Sequence, residues 1–287
     1  MKTSSLTAAL PHGLIAKAVA DALAEDLGLA GDITTDATVP EGAMARAVFV
    51  ARKPGVISGL AVAAEAFRAL DARVQFEPAV RDGGKVEAGT VVAKVHGPAR
   101  GILTGERVAL NFMGRMSGIA TLTRAYVDSI AGTKAVIVDT RKTTPGLRAF
   151  EKYAVRCGGG MNHRVGLFDA ILIKDNHIVA AGGLAKAIAG ARARAGHLVK
   201  IEVEVDTLAQ LDEVMAHAVD VVLLDNMTPA QLKTAVARVA GSMLTEASGG
   251  VSLESVRGIA EAGVDLISIG ALTHSAAVLD LGLDFEG

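Results

Sequence analysis

The sequence contains no tryptophan, and aromatic residues fill only 3% of its 287 positions. Stacking platforms for bases or sugar rings therefore have little to work with, which weighs against a single-stranded nucleic-acid binder. There is one cysteine, Cys157, so neither an intramolecular disulfide nor a cysteine-built zinc cluster can form, and a reducing cytoplasm fits best. Neither sign of charge dominates: 29 Lys and Arg face 31 Asp and Glu, a formal net charge of -2. That leaves no overall field for nucleic acid or an anionic membrane, so any anion binding has to be local. No long apolar run opens the chain either. Pro11, His12, Lys17 and Asp21 interrupt the alanines and leucines that follow Lys2, and we expect no signal peptide or anchor.

What is present is a globular composition, 51% hydrophobic, in a chain long enough for two cores. Leu14, Ile15, Ala18, Val19, Ala22 and Leu23 recur at helical spacing between Pro11 and Gly28. Short β-rich pieces at 45–59, 74–80 and 89–97 follow, separated by Gly, Pro and Asp. Their "V-x-x-G-x-V" rhythm is similar to biotinyl and lipoyl half-barrels, without a carrier-type lysine. Residues 103–132 read as two helices broken near Ser117 and Gly118. The rhythm then changes. Six apolar runs, "AVIVDT" (135–140), "AILIKD" (170–175), "IEVEVD" (201–206), "VVLLDN" (221–226), "LTEASGG" (244–250) and "LISIGA" (266–271), alternate with alanine-rich helical stretches. That alternation predicts a parallel sheet covered by helices, a barrel or partial barrel.

Each run ends in polar residues, and in parallel α/β folds the C-terminal strand ends face the active-site mouth. One such end is a solvated loop or a helix cap more often than a ligand; the repetition is what carries weight. "VDTRKTTPGLR" gathers Arg141, Lys142 and Arg148, and "RCGGGMNHRVGLFDAILIKDNH" adds Arg156, His163, Arg164 and Lys174. Arginine meets a carboxylate or phosphate bidentately and lysine acts as a point charge, so the mixture suits a substrate carrying both groups. Glu202 and Glu204 share one strand face and Asp225 lies one strand on. Such acids bind ribose hydroxyls or Mg2+, or pair with Lys142 or Lys174. "SGG" at 248–250 and "IGALTH" at 269–274 place small residues before helices, where backbone N–H groups take phosphate or merely make a tight turn. Cys157 reads as packing.

Taken together, "GERVALNFMGRMSGIAT", "DTRKTTPGLR", "CGGGMNHRVGLFDAILIKDNH", "IEVEVD", "LLDN", "EASGG" and "SIGALTHS" resemble the quinolinate phosphoribosyltransferase family, over residues 103–275 and in order; "EDLG-x-x-GDITT" near 25–35 extends the likeness. The resemblance implies an α/β fold: an incomplete parallel barrel of about six to seven strands behind an N-terminal sandwich-like α/β domain. Its boundaries would be 1–115 and 116–275, with 276–287 returning to the first domain. It implies a transferase of de novo NAD biosynthesis that joins quinolinate to phosphoribosyl pyrophosphate with decarboxylation, using Mg2+, in the cytoplasm. Arg141, His163, Arg164 and Lys174 would line the quinolinate site, with Arg107 supplied across a homodimer or higher oligomer. Lys142 and Lys174 would meet phosphates, Glu204 and Asp225 the ribose and metal, and Ser248, Gly249, Gly250 and Gly270 the 5-phosphate. The alternatives are a paralogue with another pyridine-carboxylate acceptor, or a non-catalytic phosphate-binding protein.

Overall fold

Phe49, Phe67 and Phe76, three of seven phenylalanines, meet in one cluster with ring centroids 5.8–6.1 Å apart, and the first of two units is built around them. The computed structural model describes residues 8–286, so Lys2 lies outside it. The chain up to Arg124, Ala149–Gly159 and the segment from Ser275 onward form this unit; Ala125–Arg148 and Gly160–His274 form the second. No helix among the described residues is long and apolar enough to cross a membrane.

In the first unit, strands β1 (Met44–Ala51), β2 (Gly55–Val56), β3 (Gln75–Pro78), β4 (Lys85–Val86) and β5 (Val91–Pro98) are joined by a C-terminal strand, Leu281–Phe285. The main sheet is antiparallel, in the order C-terminal strand, β1, β5, β3, and β2 pairs with β4 alone. The helix His12–Leu27 buries Ile15, Val19 and Leu23, one stripe at i, i+4, i+8, and packs on the helix Leu60–Leu70.

The expected break near Ser117 and Gly118 is absent: Ala99–Ser129 is one helix. These small residues serve close packing instead. The buried Ser117 hydroxyl accepts from Ser58 N–H (2.9 Å) and donates to Ser58 O (3.2 Å). A Cβ on Gly118 would collide with the Ala277 carbonyl. Gly118→Ala is expected to cost about 1–3 kcal/mol as overpacking, read as a lower thermal midpoint. An unchanged midpoint would mean that Ala277 moves aside freely.

The second unit is an incomplete α/β barrel. β6 (Val136–Val138), β7 (Ile171–Ile173), β8 (Ile201–Val205), β9 (Val221–Asp225), β10 (Leu244–Ser248) and β11 (Leu266–Ser268) fall within the six predicted runs. All pairs are parallel, in the order β6-β11-β10-β9-β8-β7. The ladder thus runs round in sequence order and stays open between β6 and β7, where Met161 makes a single parallel bridge to Val138. β9 is apolar at four successive positions because helices cover a parallel sheet on both faces. Two covering helices begin on capping boxes: Thr207 with Gln210 and Thr228 with Gln231 satisfy the free N–H groups of Leu208–Met215 and Pro229–Val239.

Candidate active site

Side chains two apart on a strand share a face, and this periodicity builds a cavity of about 420 Å3 at the C-terminal strand ends. Leu172 and Lys174 enter it from β7 and the residue after it, Leu223 and Asp225 from β9, Glu246 and Ser248 from β10. Glu204 of β8 and Ser268 of β11 complete that wall; Thr140, Arg141, Lys142, His163 and Arg164 form the other.

The cationic wall carries unneutralised charge. Arg141 and Lys142 have no ion-pair partner among the described residues, and Arg141 Nε is buried without a hydrogen-bond partner. Burial and then the like charge of Arg141 lower the Arg164 pKa, with opposing help from Glu202 and Asp169. Two guanidiniums that line one cavity without an ion-pair partner among the described residues suit an anion. The backbone of Lys142 is fixed by its N–H donating to Thr140 Oγ1 (3.0 Å) and its carbonyl accepting from Thr273 Oγ1 (2.7 Å). Lys174 differs, because its ammonium is paired with Glu204.

His163 lies over two buried acids. Its Nδ1 accepts from Arg164 N–H (2.9 Å), so the ring proton sits on Nε2 and is donated to Glu202 Oε2, also at 2.9 Å. Glu246 Oε1 lies 3.6 Å from the same nitrogen. Burial, then the charge of Glu202, pushes the Glu246 carboxyl up to about 7. The three residues are close enough to chelate a cation. A protonated Nε2 has no lone pair for one, however, so this cluster is a hydrogen-bond network.

The remaining sequence-predicted residues divide. Glu204 and Asp225 line the cavity, and one Asp225 oxygen accepts from Asn226 Nδ2 (2.7 Å). Gly249 and Gly250 follow Ser248 with φ of 93° and 57°, and a Cβ on Gly249 would strike the Asn226 amide. The expectation of a helix directly behind them does not hold: Val256–Glu261 starts only after a turn closed by Ser252 and Ser255. Gly270 does precede a helix, Ala271–His274, and a Cβ there would stand 3.1 Å from Lys142 Cδ. Arg107 is exposed on the long helix of the first unit and does not line the cavity. Arg148 and Arg156 also stay outside it. The Arg148 guanidinium donates to Thr143 Oγ1 and Val165 O, 3.0 Å each, and Arg156 lies over the Tyr153 ring and donates to Ala8 O. Cys157 is buried, its thiol pushed up to about 11 by desolvation, an inert packing group.

Sequence reasoning missed Glu246, whose only signal is an acid at an inward position of an otherwise small and apolar run. It also missed Asp139, fully buried at the end of β6. A larger cavity, about 490 Å3, opens at the opposite strand ends. Its lysines Lys134 and Lys200 are paired with Asp265 and Asp220, whose other oxygens accept the Thr245 and Ile201 N–H groups. With its charges satisfied it reads as structural.

Comparison with known proteins agrees with this architecture. Residues 32–117 match the model of the quinolinate phosphoribosyl transferase N-terminal domain, and 119–284 that of the C-terminal domain. The chain is 50% identical over 270 residues to a nicotinate-nucleotide pyrophosphorylase [carboxylating] of Mycobacterium leprae, covering 92% of this chain and 94% of that one. A quinolinate phosphoribosyltransferase [decarboxylating] of Nicotiana tabacum is 44% identical over 283 residues, 92% and 80% of the two chains. The solved nicotinate-nucleotide pyrophosphorylase of Francisella tularensis superposes with a TM-score of 0.93 at 40% identity, over 98% of this chain and 99% of that one. The chain belongs to the quinolinate phosphoribosyltransferase family.

Proposed function

We propose that this chain transfers the phosphoribosyl group of phosphoribosyl pyrophosphate to quinolinate, releasing pyrophosphate and CO2 and giving nicotinate mononucleotide for NAD synthesis. Beyond family membership, the observation that carries the reading is the Arg141 and Arg164 pair. Two guanidiniums lining one cavity, neither in an ion pair among the described residues, suit a ligand with two carboxylates, and quinolinate has two.

In this reading Arg141 and Arg164 hold the pyridine dicarboxylate, and the His163 ring, its two nitrogens engaged by Arg164 N–H and Glu202, packs beside it in the cavity. Lys142 and Lys174 face the phosphates. Ser248, Gly249, Gly250 and Gly270 take the 5-phosphate, chiefly through backbone N–H groups. The ring nitrogen attacks the anomeric carbon as the bond to pyrophosphate breaks. The C2 carboxylate then departs as CO2, its electron pair drawn by the quaternised ring, and C2 takes a proton. Little acid–base chemistry is asked of the protein, so positioning and charge stabilisation carry most of the rate.

Glu204 and Asp225 would hold Mg2+: both present hard oxygens in the cavity, and the second Asp225 oxygen has no hydrogen-bond partner among the described residues. Bound there, the ion would neutralise charge on the diphosphate. The exposed Arg107 suits a site shared in a homodimer, where each cavity receives Arg107 of the partner subunit. Mixing Arg107→Ala with Lys142→Ala chains is then expected to restore part of the activity that each lacks alone; no recovery would point to self-contained sites. A lone, buried, unreactive cysteine fits a reducing cytoplasm.

The test is to supply phosphoribosyl pyrophosphate and Mg2+ with quinolinate or nicotinate in parallel and follow pyrophosphate and CO2. Equal amounts of both from quinolinate alone are expected. Product from nicotinate but not quinolinate would replace the dicarboxylate reading with another acceptor.

A further inference from the structure

The segment carrying His163 and Arg164 crosses the one place where the barrel ladder is open, between β6 and β7. It belongs to no strand. Its attachment to β6 begins with two backbone bonds, Met161 N–H to Ile137 O (2.9 Å) and Asp139 N–H to Met161 O (3.2 Å). Past Met161 the backbone pairing ends and one side chain takes over. Asp139 Oδ1 accepts the His163 N–H at 2.8 Å, and its Oδ2 accepts Asn162 Nδ2 at 2.6 Å. Asp139 is fully buried and does not line the cavity, so it does not reach a ligand there. Charge-assisted bonds to a desolvated carboxylate are short and directional, which suits them to fixing a backbone.

We infer that Asp139 is a positioning residue for the acceptor pocket: its carboxylate clamps Asn162 and the His163 backbone across the barrel gap, and so sets where His163 and Arg164 meet the pyridine dicarboxylate. The His163 ring is fixed from three sides, by Asp139 at its backbone, by Arg164 N–H at Nδ1 and by Glu202 at Nε2. Arg164 is the next residue, and its guanidinium donates to Ala170 O at 3.3 Å, so its direction also depends on the backbone that Asp139 holds. Glu204, Asp225 and Ser248 stand on β8, β9 and β10, and Lys142, on the same segment as Asp139, is held by Thr140 and Thr273; none of the four takes part in these two bonds. Loss of the clamp therefore falls on one of the two substrates.

The inference rests on the proposed acceptor, so the wild-type chain is assayed beside the variants. If the wild type releases no pyrophosphate from quinolinate, the reading of the reaction fails, and the result is distinct from any variant effect. Asp139→Asn keeps an acceptor for the His163 N–H but sets two amide donors against each other at Asn162. It is expected to raise KM for quinolinate about tenfold or more while KM for phosphoribosyl pyrophosphate stays within about twofold. Combining it with Asn162→Asp restores one donor facing one acceptor, and is expected to return most of the quinolinate affinity. Asn162→Ala, which keeps Asp139 and its bond to His163, is expected to raise the quinolinate KM by a smaller factor, and it serves if Asp139→Asn does not fold. Equal rises in both KM values, a double variant as impaired as the single, or an unchanged KM in Asn162→Ala would overturn the assignment.

Discussion

Lys142→Ala is expected to lower turnover of quinolinate by a factor on the order of 10²–10³, the usual loss when one preorganised charge is removed from a reacting site. The thermal midpoint is expected to move by no more than about 2 °C. The asymmetry follows from where the charge stands. The side chain is exposed and its ammonium has no ion-pair partner among the described residues, so removing it breaks no ion pair and leaves little buried surface uncovered. Its backbone is held by Thr140 and Thr273, which alanine preserves. In the proposed reaction negative charge builds on the departing pyrophosphate, and an unengaged ammonium acts there at full strength. Lys142→Arg keeps the charge but not its shape or its fit beside Gly270, and intermediate turnover is expected. Stopped-flow or steady-state pyrophosphate release together with thermal unfolding reads both quantities. Turnover that falls only in step with unfolding would remove Lys142 from the reaction.

Lys174 makes the contrast. Its ammonium already neutralises Glu204, so Lys174→Ala leaves a carboxylate uncompensated in the cavity as well as removing a cation. A variant of Lys174 therefore cannot separate substrate binding from the state of Glu204, whereas Lys142 can.

The barrel is legible because of how parallel strands are buried. Helices cover both faces, so each strand is a short apolar run, and its functional residues collect where the run stops. "IEVEVD" and "VVLLDN" therefore announce both their strands and the inward position of Glu204 and Asp225. Two features stay hidden for physical reasons. Ser117 and Gly118 look like a helix break because Ser and Gly favour breaks locally, whereas tertiary contacts with Ser58 and Ala277 select them for size. Asp139 looks like one more loop carboxylate beside Arg141 and Lys142. Its partners are 23 and 24 residues away, brought opposite by an opening in the ladder that no local pattern marks. Arg148 is the converse, a cation grouped by sequence with Arg141 that the fold uses to tie Thr143 to Val165.

The buried acids beneath His163 lead to the other large effect. Glu246→Gln is expected to make the substrate-free protein more stable than the wild type at pH 8, by on the order of 3 kcal/mol, and nearly equal to it at pH 4.5. Burial, and then the charge of Glu202, raises the Glu246 carboxyl from an ordinary 4.5 to about 7; the neighbouring His163 ring and a bond from Ser268 oppose this. A carboxyl raised in the folded state holds its proton there more tightly than in the unfolded chain. While both states are protonated, below about 4.5, folding incurs no penalty. Between 4.5 and 7 the unfolded chain releases a proton that the folded one retains, and stability falls as pH rises. Above 7 the folded protein carries two buried carboxylates side by side and the loss is complete. Glutamine keeps a donor toward Glu202 at every pH and adds no charge, so the variant escapes this decline. Denaturant unfolding of both proteins from pH 4.5 to 8.5 measures the gap. A gap that stays constant with pH, or a wild type that gains on the variant as pH rises, would show that Glu246 is ionised across the range and that the network holds both charges without strain.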